Sequence, residues 1–161
     1  LYKEIESEDR LIHYSIEGVH KAYDKAVVAA TELLKSGKVA MVGSARSSVE
    51  EQFFYKAIAE RCGAKVFLVS HHGDGDGLLQ SEDRTPNLRG ALLTGLISEL
   101  PSENLEALAR AINSGAVKTI LAVNEDLTDL GISKDVLAKV KVIYVGSHAN
   151  RTSEVANIEL P

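Results

Sequence analysis

The sequence has little of what staples, spans or grips. Its single cysteine, Cys62, excludes an intrachain disulfide and any cysteine-built metal cluster. One thiol suits a reducing compartment, and a cytoplasmic location is the expectation. There is no basic run, and the net charge is −5, which argues against a nucleic-acid surface. No apolar stretch approaches the ~20 residues that a membrane helix needs, so no direct membrane insertion is expected. The opening residues LYKEIESEDR do not read as a signal peptide. Neither a G-x-G-x-x-G fingerprint nor a Walker loop ending in G-K-[ST] occurs. No internal repeat or low-complexity segment occurs either.

What remains has ordinary globular composition, 45% hydrophobic and 25% charged, in 161 residues. That is one domain's length and enough for a core without staples. The chain opens at Leu1 and stops at "NIELP", directly after a strand-like run. The expectation is a single α/β domain over residues 1–161, cut from a longer polypeptide.

Apolar residues from Ile16 to Leu34 recur at helical spacing and predict a helix from about Glu17 to Lys35, closed by Ser36-Gly37. On that reading "HKAYDK" (His20 to Lys25) is its solvated side. "KVAMV" (Lys38 to Val42) reads as a strand. "GSARSS" then turns into a second helix, which starts at Ser47 or Ser48 through a capping box with Glu50 or Glu51. That helix runs to about Cys62 and stops at Gly63; Cys62 sits on its expected buried side and reads as structural. "KVFLV" (Lys65 to Val69) is the second strand. A polar, glycine-rich segment follows to about Asn87, then an apolar stretch, "NLRGALLTGLISEL", whose two glycines weaken its helical pattern. Ser102 caps a clearer helix that ends before Gly115. "VKTILAV" (Val117 to Val123) is the third strand, Ser133 opens a short helix, "VKVIYV" (Val140 to Val145) is the fourth strand, and "ANIEL" (Ala156 to Leu160) the fifth.

Nearly all-apolar strands alternating with helices belong to a parallel sheet buried on both faces. The predicted fold is α/β: three-layer, doubly wound, mostly parallel and Rossmann-like. Ligands bind such sheets beyond the carboxyl ends of the strands. Four loops qualify: Gly43 to Ser48, Ser70 to Asn87, Asn124 to Leu130 and Gly146 to Glu154. The first could hold an anion on backbone amides at a helix start, with Arg46 adding charge; as residues alone, it reads equally well as a capped turn.

"HHGDGDGLL" (His71 to Leu79) offers metal ligands in His71, His72, Asp74 and Asp76. Adjacent histidines on an extended chain point to opposite sides. The calcium-loop pattern that "DGDG" begins does not finish, because the twelfth residue from Asp74 is Thr85 rather than glutamate. A flexible, glycine-permitted loop is therefore the preferred reading. His148 and Ser153 lie near each other in the last loop, but no Ser/His/Asp spacing supports a catalytic triad.

Three stretches carry a family resemblance over roughly Glu17 to Pro161. "GSARSSVEEQFFYKAIAER" resembles the molybdopterin oxidoreductase pattern of a strand ending in Gly-Ser, a polar turn and a helix opening with glutamate. "DGDGLLQSEDRTPNLRGA" resembles the large iron–sulfur subunit of NADH-quinone oxidoreductase, where an acidic loop precedes D-x-x-P-N-x-x-G; here these are Asp83, Pro86, Asn87 and Gly90. "SHANRTSEVANIELP" resembles the family's closing segment.

The resemblance implies the central α/β domain found in formate dehydrogenase and DMSO reductase. Catalytic members bind molybdopterin guanine dinucleotide at the carboxyl edge of this sheet. By that resemblance Gly43, Ser44, Arg46 and Glu50 would line one edge of the cofactor, and His148, Asn150 and Thr152 another. Asn124 and Glu125 replace the Gly-x-Asn-Pro turn common after the third strand; an acidic residue is a poor neighbour for phosphate but can bind a guanine base edge. The iron–sulfur cysteines and the molybdenum-holding cysteine or selenocysteine have no counterpart, so clusters are expected elsewhere in the parent protein. In the respiratory subunit the corresponding domain keeps the fold without the cofactor.

Three readings follow. The first is a scaffold domain of an electron-transfer large subunit, without its own redox centre or turnover, whose partners are other domains of the same polypeptide and other subunits. The second is part of the pterin-dinucleotide region of a catalytic molybdenum or tungsten enzyme. The third is a stand-alone module for NAD or FAD, which lacks its glycine fingerprint and ribose-binding acid.

Overall fold

The structure, a computed structural model, describes residues 5–100 and 105–161. A seven-stranded sheet runs through it in the order β2-β1-β7-β6-β5-β3-β4. The strands are β1 (Ser15–Ile16), β2 (Val19–His20), β3 (Val39–Ser44), β4 (Lys65–Val69), β5 (Thr119–Val123), β6 (Lys141–Val145) and β7 (Ile158–Leu160). The helices are α1 (Tyr23–Lys35), α2 (Val49–Cys62), α3 (Leu88–Leu93), α4 (Leu105–Asn113) and α5 (Lys134–Leu137), with a 3-10 turn at Ser153–Val155.

Strands β3 to β7 are mutually parallel, as their unbroken apolar runs predict. All six residues of β3 and all five of β5 are buried, so neither strand has a solvent side. The two faces carry separate cores. Met41, Leu121, Val123 and Ile143 meet Ala30 of α1 and Ala59 of α2 on one side. Val42, Ile120, Ala122 and Val142 meet Leu108 and Ile112 of α4 and Leu137 of α5 on the other. The fold is the three-layer, doubly wound α/β arrangement that the alternation of strands and helices predicts.

From β3 the chain steps outward to β4, then returns across β3 to β5 and continues to β6 and β7. The reversal between β3 and β5 is the topological switch point, where open α/β sheets place their ligand crevice.

The expected helix start at Glu17 is corrected. Residues 15–20 form a hairpin instead, with Ile16 opposite Val19. Its two turn residues both have positive φ, 48° at Glu17 and 72° at Gly18, as a two-residue type I′ turn requires. The hairpin is held by β7, where Ser15 pairs with Glu159 and Ile16 with Ile158. Helix α1 therefore starts at Tyr23, and His20 belongs to a strand. The pattern of Ile16 and Val19 fits a helix locally, but pairing with a strand some 140 residues away decides the matter.

The other elements fall close to expectation. Helix α2 opens with the Ser48–Glu51 member of the two possible capping boxes: Ser48 N–H donates to Glu51 Oε2 at 2.7 Å, and Glu51 N–H to Ser48 Oγ at 3.2 Å. It closes on Gly63 at φ 61°, a left-handed conformation that favours glycine. Cys62 at its end is partly rather than fully buried. The doubtful apolar stretch after Asn87 is helical only over Leu88–Leu93. The cap expected at Ser102 lies outside the described residues. No helix among the described residues is long and apolar enough to cross a membrane.

Candidate functional site

The four expected loops all emerge at the carboxyl ends of β3, β4, β5 and β6 and form one rim. The β3 loop is fixed by Gln52, which the sequence reading did not single out, and by Asn87 of the D-x-x-P-N-x-x-G motif. Gln52, fully buried in the first turns of α2, donates from Nε2 to the carbonyls of Ser47 (3.3 Å) and Asn87 (3.1 Å). Asn87 Nδ2 donates to Ser47 O at 2.9 Å, and Asn87 N–H to Ala45 O at 3.1 Å.

These contacts explain D-x-x-P-N-x-x-G physically. Asp83 accepts from both the N–H and the hydroxyl of Thr85 and ends the loop. Asn87 ties that end to the β3 loop. Gly90 leaves room for the Asn87 amide, since a Cβ there would lie 2.0 Å from Asn87 Oδ1. The motif is a clamp between two rim loops.

The β4 loop, which contains HHGDGDGLL, is an irregular hairpin. Gly73 N–H donates to Glu82 O and Arg84 N–H to His71 O, and His72 bridges to Asp83. At its tip Asp76 Oδ1 accepts the N–H groups of Leu78, Leu79 and Gln80 at 2.8–2.9 Å. Those amides, Gln80 foremost, hold the exposed Asp76 carboxyl below the usual aspartate range. Asp76 is thus a turn-forming acceptor. Among the described residues no group of three His, Cys, Asp or Glu side chains is placed to hold a metal ion.

His71 reaches across the switch point. It comes from the β4 loop, Glu125 from the β5 loop, and β3 lies between their strands. His71 Nε2 lies 3.0 Å from Glu125 Oε2, over the carboxyl end of β3. Glu125 is only 3% exposed, and its Oε1 has no hydrogen-bond partner among the described residues. The pair ties the β4 and β5 loops together across the position a switch-point ligand would occupy.

The β5 and β6 loops are joined through Asp126. Its Oδ1 accepts from Thr128 N–H (2.9 Å), Asp129 N–H (3.3 Å) and Thr152 Oγ1 (3.1 Å), and its Oδ2 from Arg151 N–H (3.1 Å). Burial by itself would raise this carboxyl. The Asp129, Thr128 and Arg151 amides with the Thr152 hydroxyl outweigh it and hold the group below the ordinary range. Thr152 Oγ1, wholly buried, also accepts Leu127 N–H at 2.8 Å. Asn150 Oδ1 accepts the amides of Thr152 and Ser153, and its Nδ2 donates to the Tyr144 hydroxyl at 2.9 Å. That hydroxyl donates in turn to His148 O. Burial first, then the negative Asp126, pushes the Tyr144 hydroxyl up to about 12. Tyr144 folds over Gly146, where a Cβ would come within 2.6 Å of its oxygen.

The nine residues singled out by resemblance therefore fall into two sets. Gly43 and Ser44 are buried inside β3 itself, because the parallel pairing with β4 extends to Ser44–Val69. Ser44 Oγ accepts Arg46 N–H. Glu125, Asn150 and Thr152 are bonded within the rim as above. Arg46, Glu50 and Asn124 are exposed and His148 is half-buried, its Nδ1 2.9 Å from Ser147 Oγ. Asn124 sits at φ 54°, a conformation asparagine tolerates. Sequence reasoning missed Gln52, Asn87, Asp126 and Tyr144 as rim residues. Only Asn87 carried a signal, as part of the quoted motif. A scan against protein-family models finds no match for the chain, and a search of curated proteins finds none either.

A pterin dinucleotide would need free donors along this rim. Its phosphates call for open amides at the start of α2; the capping box takes the Ser48 and Glu51 amides there, and Glu50 and Glu51 add negative charge. The Thr152 hydroxyl and Asn150 amide both have internal partners. The capping-box residues and the Thr152–Asn150 network do not fit the group.

Proposed function

We propose that the chain is a scaffold α/β domain of an electron-transfer oxidoreductase large subunit of the NADH-quinone oxidoreductase type, holding its fold without a redox centre of its own. The observation that carries this reading is the self-bonded rim. Part of the polar rim is committed to itself, through Asp126–Thr152–Asn150–Tyr144 and His71–Glu125, while Arg46, Glu50 and Asn124 stand exposed. A rim built this way holds loop positions for neighbouring domains rather than releasing donors to a ligand. The sequence resemblance supplies the oxidoreductase context, the iron–sulfur clusters elsewhere in the parent, and the other domains and subunits as partners. We assign the parent protein to the cytoplasm, on the cytoplasmic face of a membrane complex.

The competing reading, part of the dinucleotide region of a molybdenum or tungsten enzyme, draws on one atom. Glu125 Oε1 is buried and without a partner among the described residues, and such an acceptor suits the N–H edge of a base. Metal and pterin analysis of the parent protein tests the two. Stoichiometric molybdenum or tungsten with pterin would overturn the scaffold reading; iron and sulfide without them supports it. Calorimetry of the chain with NAD and FAD tests the third reading, and micromolar binding of either would favour it. Turnover of NADH or formate by the purified chain would likewise refute the scaffold assignment.

A further inference from the structure

Helix α2 carries an apolar surface that no described residue covers. Phe53 and Phe54 are 59% and 64% exposed, their rings edge to face at 6.2 Å between centroids. Val49 and Ile58 are exposed beside them. Only Gln52 and Ala59 of this helix are fully buried. Two adjacent exposed phenylalanines flanked by further apolar residues mark an interaction surface.

The order of residues along that surface is self-complementary. Glu50, Phe54, Ala57 and Arg61 are all exposed and follow at spacings of four, three and four, the spacing of a coiled-coil seam. The 4-3-4 spacing reads the same in both directions. A two-fold axis between Phe54 and Ala57 therefore sets each residue opposite its mirror position in an antiparallel helix. Phe54 then meets the small Ala57 of the second copy, large against small. Glu50 meets Arg61, opposite charges at both ends. The other charges on the helix are already engaged: Lys56 with Glu60 at 3.8 Å, and Glu51 in the cap. Glu50 and Arg61 take part in no ion pair among the described residues.

We propose that this face binds a second copy of the same chain, α2 against α2 in antiparallel orientation, with Phe54 and Ala57 at its centre, Phe53 flanking them and two Glu50–Arg61 pairs at its ends. An isologous contact needs a self-complementary patch, and reversal of charge about an apolar centre supplies one. The inference does not rest on the proposed electron-transfer context.

Sedimentation equilibrium of the 161-residue chain over about 5–500 μM tests it, a range suited to a small interface. The expected mass rises from 17.3 kDa towards twice that value. Glu50→Arg alone and Arg61→Glu alone should each weaken association about tenfold or more, since each sets like charges face to face. Mixing these two variants should restore association, because a dimer with one copy of each again sets opposite charges face to face at both ends. Phe53→Ser/Phe54→Ser should stay monomeric with unchanged circular dichroism. A chain that is monomeric at every concentration overturns the proposal. So does association that both single charge variants leave intact, or a mixture of them that fails to associate.

Discussion

Replacing Thr152 by valine is the sharpest test of the rim. Valine matches threonine in shape, so the wholly buried position keeps its packing. Two hydrogen bonds are lost, the one from Leu127 N–H (2.8 Å) and the one to Asp126 (3.1 Å). The Leu127 amide is left without a partner beside a fully buried side chain. An orphaned buried donor costs about 1–3 kcal/mol, and a hydrogen bond to a charged group is worth about 1.5–3 kcal/mol. Asp126 keeps three other donors, which offsets part of the second loss. The expected destabilisation is about 2–4 kcal/mol, or roughly 5–15 °C in Tm for a domain of this size. Urea unfolding followed by circular dichroism measures it, with an unchanged m-value showing that the transition remains comparable. Arg46→Ala is the control, since that exposed side chain should change stability by no more than about 0.5 kcal/mol. A Thr152→Val protein within about 0.5 kcal/mol of the parent would refute the structural role of this hydroxyl and free it for a ligand.

Asp76, Asp83 and Asp126 all have carboxyls held below their ordinary range, Asp83 chiefly by the Thr85 hydroxyl. Their folded values lie below the unfolded value of about 3.9, so the unfolded chain binds more protons in acid. Their contribution is complete above the unfolded value and is lost as pH falls through the folded values. Stability should therefore decline below about pH 5, and Asp126→Asn should make that acid limb shallower in denaturant titrations; an unchanged limb would remove Asp126 from the account. His71→Ala strips the buried Glu125 carboxyl of its one hydrogen-bond partner among the described residues and should cost about 1–3 kcal/mol at pH 7. The double variant with Glu125→Gln should recover part of that loss; purely additive losses in the thermodynamic cycle would dismiss the pair as a coupled unit. Gly90→Ala drives a methyl to 2.0 Å from Asn87 Oδ1 and should cost about 1–3 kcal/mol in thermal unfolding despite alanine's better helix propensity. A stabilised variant would contradict the clamp.

Local chemistry made much of the architecture legible. The nearly all-apolar runs at β3, β4, β5 and β6 suit strands buried on both faces, and that predicted a parallel sheet. Ser48, Glu51 and Gly63 are short-range signals whose hydrogen bonds and backbone angles close within a few residues, so both ends of α2 were readable. The hairpin before α1 was not, because its second partner strand is β7 at the other end of the chain. Of the rim, the loops were predictable from strand ends but their wiring was not. Nothing near Asp126 in sequence announces Thr152, 26 residues on, and nothing near Glu125 announces His71.

Sequence by itself determined the central strands and the helices between them, where the loops gather, and that no cysteine cluster can form here. Periodicity, caps and composition act over a turn or two of chain, and that information is complete in the local residues. Only tertiary structure decided the strand order, the switch point between β3 and β5, and the fate of HHGDGDGLL as a hairpin whose first histidine latches onto Glu125. It also decided that α2 leaves Phe53 and Phe54 to solvent. Which side of a helix is buried, and which acceptor a donor finds, depends on what the sheet brings beside it. That placement is set by packing summed over the whole chain, and no short window of residues contains it.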